Sequence, residues 1–122
     1  MPGFGKRSRL KLDTCHPDLQ EILREAIRIY DFSILCGSRN EEEQNELFDT
    51  GRSKVKYPHS KHNSDPSRAV DIAPYPIDWN DKERFHELAG IIKAVAYDKG
   101  VELKWGGDFK NFFDGPHFEL ID

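Results

Sequence analysis

Cysteine is scarce in this sequence: two in 122 residues, Cys15 and Cys36, far apart and without CxxC spacing. No disulfide framework follows, and a chain of this length needs none, since a domain near this size buries roughly two-thirds of its unfolded surface. Both are expected to be thiols. Cys36, inside the apolar run FSILC, reads as a small buried hydrophobe. No apolar run approaches the ~18 residues that would span a bilayer, and the N-terminus lacks the hydrophobic stretch of a secretory signal. The expectation is cytoplasmic synthesis with no stable membrane association. An excess of positive charge is also missing. With 18 Lys and Arg against 22 Asp and Glu, the net charge is −4, which gives no general nucleic-acid footprint. Internal repeats, low-complexity linkers and an HExxH helix are absent too, so a familiar zinc-helix signature cannot settle the chemistry.

What remains is a soluble-type composition, 37% hydrophobic and 33% charged, that fits one domain over residues 1–122. Residues 1–11 carry GKRSRLKL and read as a basic, solvated arm. HPDLQEILREAIRIYD follows as a helix, with Pro17 in its first turn. Leu19, Ile22, Leu23, Ala26 and Tyr30 hold the spacing of one buried stripe. FSILCGS reads as a short strand. Asn40 and Glu43 mark a capping-box start for a second helix that ends at Gly51. Residues 52–67 have no period and many turn formers, and form a long loop of the kind that is usually functional. RAVDIAP alternates as a strand. Asn80 and Glu83 open a third helix, closed by Gly100, and VELKW and PHFEL read as two final strands. The fold class is α+β: a small, mainly antiparallel sheet with three helices packed around it.

Strand alternation then separates the polar residues from the core. Val70 and Ile72 face inward, so Asp71 faces the other way with the small Ala69 and Ala73. In PHFEL, Phe118 and Leu120 face inward, so His117 and Glu119 do not. If the two strands are neighbours, Asp71 and His117 meet on one sheet face. His62 sits in the loop feeding the Asp71 strand. Two histidines and an aspartate with a fourth position open match a catalytic zinc site. Asp114, three residues before His117, could act on a proton there, with Gly115-Pro116 folding it back. The plainer reading of each residue alone is a structural histidine and a turn-capping aspartate. Glu119 is either a partner of a ligand or a solvent-facing strand residue. Trp105 either walls a cleft or fills the core. His59 is the one rival ligand, by its closeness to His62.

SKHNSDPSRAVDIAPYP and WGGDFKNFFDGPHFEL together resemble the two zinc motifs of the LAS-type peptidases. That group includes D-alanyl-D-alanine carboxypeptidases, vancomycin-resistance dipeptidases and phage L-alanyl-D-glutamate endopeptidases. The first motif, Ser-x-His followed by Ala-x-Asp, falls on Ser60, His62, Ala69 and Asp71. The second, an acidic residue, two more and a histidine, falls on Asp114 and His117. An upstream Ser-x-Arg or similar element before an acidic helix has its counterpart in CGSRNEEEQNELFDTG, which supplies Arg39. The resemblance spans residues 12–122 and implies a hedgehog/D-Ala-D-Ala peptidase-like fold. It implies His62, Asp71 and His117 as ligands of one Zn²⁺ per chain, Asp114 as general base and acid, and Arg39 as the cation serving the substrate carbonyl or its oxyanion. Ser60 binds substrate or shapes the loop. One departure is the separation of His62 and Asp71, longer here than in many members, with the extra length in the NSDPS loop. The compact chain is most similar to the phage endolysins. The implied activity is therefore L-alanyl-D-glutamate endopeptidase action on the peptidoglycan stem peptide by a monomer that reaches the wall with holin assistance. A D-alanyl-D-alanine carboxypeptidase or dipeptidase is the alternative within enzymes. A non-catalytic peptidoglycan binder on the same fold is the alternative outside them.

Overall fold

The computed structural model describes residues 3–121. In chain order the elements are α1 (Lys6–Leu12), α2 (Pro17–Ala26), β1 (Phe32–Cys36), α3 (Glu41–Asp49), β2 (Ala69–Pro74), α4 (Lys82–Asp98), β3 (Leu103–Trp105) and β4 (His117–Leu120). Two short 3-10 turns, Lys61–Asn63 and Gly106–Asp108, lie between them. The sheet runs β1-β2-β4-β3, and each neighbouring pair is antiparallel. Helix α4 packs on β2 and β3, α2 packs on α4, and α1 packs on β1.

The α+β class and the four-stranded antiparallel sheet agree with the sequence. The count of helices does not: there are four. The residues read as a solvated arm form α1, which buries Ser8 and Leu12 one helical turn apart and turns its basic side chains outward. Ser8 Oγ accepts from the Ile34 N–H at 3.0 Å, which ties the helix to β1. Helix α2 is also shorter than its apolar pattern, ending at Ala26. Its stripe of Leu19, Ile22, Leu23 and Ala26 is buried, and His16 caps it by accepting from the Asp18 N–H. Helix α3 has the capping box of Asn40 and Glu43. Helix α4 is capped one residue later than expected, by Asp81. Both long polar-flanked helices end where a glycine, Gly51 or Gly100, takes a positive φ.

The core joins the stripes of α2 and α4 to Phe32, Ile34, Val70, Ile72, Phe118 and Leu120 from the sheet. Trp105 belongs to this core at 3% exposure, and its Nε1 donates to the Gly115 carbonyl at 2.7 Å. The opposite side of β2 and β4 carries Asp71, His117 and Glu119, with Asp71 directly across from His117.

Candidate metal and catalytic centre

Strand alternation and the β2–β4 register together bring Asp71 and His117 face to face. Asp71 Oδ1 lies 3.1 Å from His117 Nδ1 and 3.3 Å from His62 Nε2. The other carboxylate oxygen, Oδ2, accepts from Arg39 Nη2 at 3.0 Å. His62 reaches this point from the 3-10 turn, where Ser60 is the N-cap and its Oγ accepts from the His62 N–H. His62 is 1% exposed.

The outer nitrogen of each ring is already engaged. His62 Nδ1 is 2.7 Å from the Gly37 carbonyl, which can only accept, so Nδ1 carries the proton. His117 Nε2 is 2.8 Å from Glu119 Oε1, which fixes that ring the same way. In both rings the inner nitrogen therefore points a lone pair toward Asp71 unless the ring is doubly protonated. His62 Nε2 is buried and makes no well-directed hydrogen bond among the described residues, although it faces Asp71 Oδ1 at 3.3 Å. Two lone pairs and a carboxylate oxygen at this separation need positive charge among them, supplied either by ring protons or by one cation.

Burial works against charge on His62, but the approach of the Asp71 carboxylate and the contact with Cys36 outweigh that and raise its pKa to about 9. Burial likewise opposes charge on His117, and the carboxylates of Asp71 and Glu119 raise its pKa nonetheless. Burial also works against ionised Asp71, yet hydrogen bonds from the two histidines hold its carboxyl well below the ordinary range. Asp114 behaves oppositely: burial, and then the Asp71 charge, push its pKa up.

Asp114 lines the same cleft as His62, Asp71, His117 and Arg39. Its backbone is pinned at both ends of the turn, with its N–H donating to the Gly106 carbonyl and its own carbonyl accepting from the His117 N–H. Gly106 permits this approach: a Cβ there would lie 2.2 Å from the Asp114 carbonyl oxygen and 3.0 Å from His117 Cβ. Glu119, half-buried, contacts both His117 and Lys61, so the solvent-facing reading of that residue does not hold. His59 lines the cleft rim but stands outside the cluster.

Cys36 is the main correction. It is half-buried rather than a core hydrophobe. A register shift between Ile34 and Cys36 sets Cys36 opposite Asp71 and turns it onto the polar side. Its Sγ accepts from Arg39 Nε at 3.2 Å and lies 3.9 Å from His62 Nδ1. Cys36, His62 and Asp71 each offer a potential ligand atom within 4.8 Å of the others. The thiol, however, sits beside the His62 nitrogen already bonded to Gly37, not beside the unpartnered Nε2.

Sequence reasoning also passed over Gln44. It is fully buried, the one buried residue of α3. Its Oε1 accepts from Arg39 Nη1 and Asn63 Nδ2, and its Nε2 donates to Ser53 Oγ and the Val55 carbonyl. A signal was present: Gln44, Leu47 and Phe48 keep i, i+3, i+4 spacing, so the glutamine occupies a stripe position in an otherwise charged helix.

Known proteins are similar to this chain in sequence and in fold. The chain is 33% identical over 134 residues to the L-alanyl-D-glutamate peptidase of Escherichia phage T5, covering 97% of both chains. It is 33% identical over 110 residues to the peptidoglycan L-alanyl-D-glutamate endopeptidase CwlK of Bacillus subtilis (strain 168), covering 75% of this chain and 61% of that protein. The crystal structure of Serratia marcescens L-Ala D-Glu endopeptidase ChiX superposes with a TM-score of 0.85 at 32% identity, over 97% of this chain and 89% of that one. The sequence profile described as phage L-alanyl-D-glutamate peptidase matches residues 2–121, and with nearly the whole chain accounted for, the protein belongs to that family.

Proposed function

We propose that this chain is a zinc-dependent endopeptidase that hydrolyses the L-alanyl–D-glutamate bond of peptidoglycan stem peptides. Family membership supports the substrate. The observation that carries the metal is the buried, unpartnered His62 Nε2 facing Asp71 Oδ1, with His117 Nδ1 on the other side of that oxygen. In this reading His62, Asp71 and His117 would hold one Zn²⁺, a donor set of two imidazoles and a carboxylate that suits that ion. When bound, the ion would supply Lewis acidity to polarise a carbonyl and ease the ionisation of water.

The protein's own groups do the rest. Arg39 holds Asp71 Oδ2 and so aims Oδ1 at the histidines. Its bonds engage one N–H at each guanidinium nitrogen, toward Cys36, Gln44 and Asp71. That leaves a second N–H on each Nη to serve a growing oxyanion in the cleft it lines. Asp114 takes the proton of the attacking water and returns it to the leaving amine of the glutamyl residue. Its raised pKa suits both halves of that task, since a stronger base is also a group that can be reprotonated. Ser60 shapes the turn that presents His62 and forms part of the cleft wall.

Mass spectrometry of digested peptidoglycan tests the bond. The expected products are fragments with a new glutamyl N-terminus. Released D-alanine without new glutamyl termini would instead identify a D-alanyl-D-alanine carboxypeptidase. In the producing cell the enzyme acts as a monomer, made in the cytoplasm and released to the wall with holin assistance.

A further inference from the structure

The cleft beside Asp71 is lined by two unlike sets of residues. Phe109, Phe112 and Phe113 form one. The other is the segment after α3, which brings Arg52 and Lys54 to the rim. We propose that Arg52 and Lys54 bind the free carboxylate of the glutamyl residue on the leaving side of the scissile bond. This rests on the peptidase reading above and adds to it which residues select the substrate.

Four observations converge. First, the chain is net negative and the cleft lining includes Asp71, Asp114 and Glu119, so cations in the same lining favour the approach of an anionic group. Second, both side chains are exposed and neither is paired with a carboxylate among the described residues. Arg52 Nε donates to Thr50 Oγ1 at 3.1 Å, and the Lys54 ammonium lies 5.0 Å from the Phe112 ring centroid. Third, the rim is a built wall. Buried Gln44 donates to Ser53 Oγ and to the Val55 carbonyl, gripping the residues on both sides of Lys54. The same glutamine accepts from Arg39, so the rim and the centre share one anchor. Fourth, a glutamyl residue has two carboxyl groups and a peptide continues through only one of them. The other stays beside the bond as a free anion, or as its neutral amide where it has been amidated. The other cations lining the cleft are already engaged, Arg39 by Asp71 and Lys61 by Glu119 and the Leu120 carbonyl.

Two synthetic stem peptides test the assignment, identical except that the spare glutamyl carboxyl is free in one and a primary amide in the other. Wild type should cut the free acid with a kcat/KM roughly 5- to 30-fold above the amide, mostly through KM, the scale of two partly exposed charge contacts. The preference should shrink as salt is raised, since exposed charges are screened. It should fall by about half on a logarithmic scale in Lys54→Gln and to near one in Arg52→Gln/Lys54→Gln. A double variant that keeps the wild-type preference overturns the assignment, as does a wild type indifferent to the two peptides. A wild type that cuts neither peptide at this bond overturns the peptidase reading and the assignment with it. Cleavage of both with equal efficiency overturns only the assignment.

Discussion

Asp71 shows how much one carboxylate can organise. Its two oxygens face different partners, Oδ2 the Arg39 guanidinium and Oδ1 the two imidazoles. The pairing of Asp71 with His117 was legible because period-2 alternation is a hard constraint on a half-buried strand: with Val70, Ile72, Phe118 and Leu120 inside, Asp71 and His117 had one face left, whereas His62, in a loop, had no such pattern to place it. The same rule failed at Cys36, because a bulge breaks the period and leaves no mark in composition. Gln44 stayed hidden because its importance lies in four hydrogen bonds, which no pattern of hydrophobicity reports. These placements make variants separable. Asp114→Asn keeps the shape and removes the proposed base, so turnover should fall by about 10²–10⁴-fold with zinc still near one per chain. His117→Ala should lose both activity and tight zinc. Arg39→Ala should slow turnover by about 10²–10³-fold. Metal content and rate are to be measured on the same samples. An Asp114→Asn protein that digests walls normally would move the general base elsewhere, with Glu119 the next carboxylate in reach.

Among the elements, the ones legible beforehand were those with a long stripe or a local cap. Helix α4 shows the stripe, with Phe85, Leu88, Ala89, Ile92 and Ala96 all buried, and α3 shows the cap, with the Asn40–Glu43 box. Helix α1 escaped because seven residues allow only two buried positions, and four basic side chains around them look like a solvated arm. The turn between β3 and β4 is a case where the backbone, not a side chain, positions chemistry. Asp114 is set by a bond to the Gly106 carbonyl and by the indole of Trp105, which holds Gly115 from within the core. Gly106→Ala places a methyl against the Asp114 carbonyl and His117 Cβ, where backbone has to move. Overpacking of this kind costs about 1–3 kcal/mol. Activity should fall by at least about 10-fold, because a shift approaching 1 Å at a catalytic group is costly. Thermal melting and peptide turnover of the variant check both parts. A variant with wild-type turnover would show that the turn tolerates displacement and that Asp114 needs no such exact seat.

At the scale of the whole molecule, the proposed metal joins parts of the chain that are distant in sequence. His62 comes from the long loop, Asp71 from β2 and His117 from β4. An ion bound by the folded state alone stabilises it by mass action, by about 2.7 kcal/mol at a hundredfold excess over Kd. For a chain of this length that corresponds to a rise of roughly 10 °C in the melting temperature. The pH dependence has a definite sign. In the metal-free protein the His62 proton, with its pKa raised from 6.5 to about 9, contributes stability that is fully present below about 6.5 and lost as pH rises through about 9. Zinc must displace that proton, so its own contribution strengthens over the same window. Melting curves with and without zinc should therefore diverge more at pH 8 than at pH 6. Chelator should close the gap, and His117→Ala should show little gap at either pH. A wild-type protein whose melting temperature ignores zinc at pH 8, and which takes up none on dialysis, would leave His62, Asp71 and His117 as a proton-bridged structural cluster and would require a peptidase mechanism without the ion.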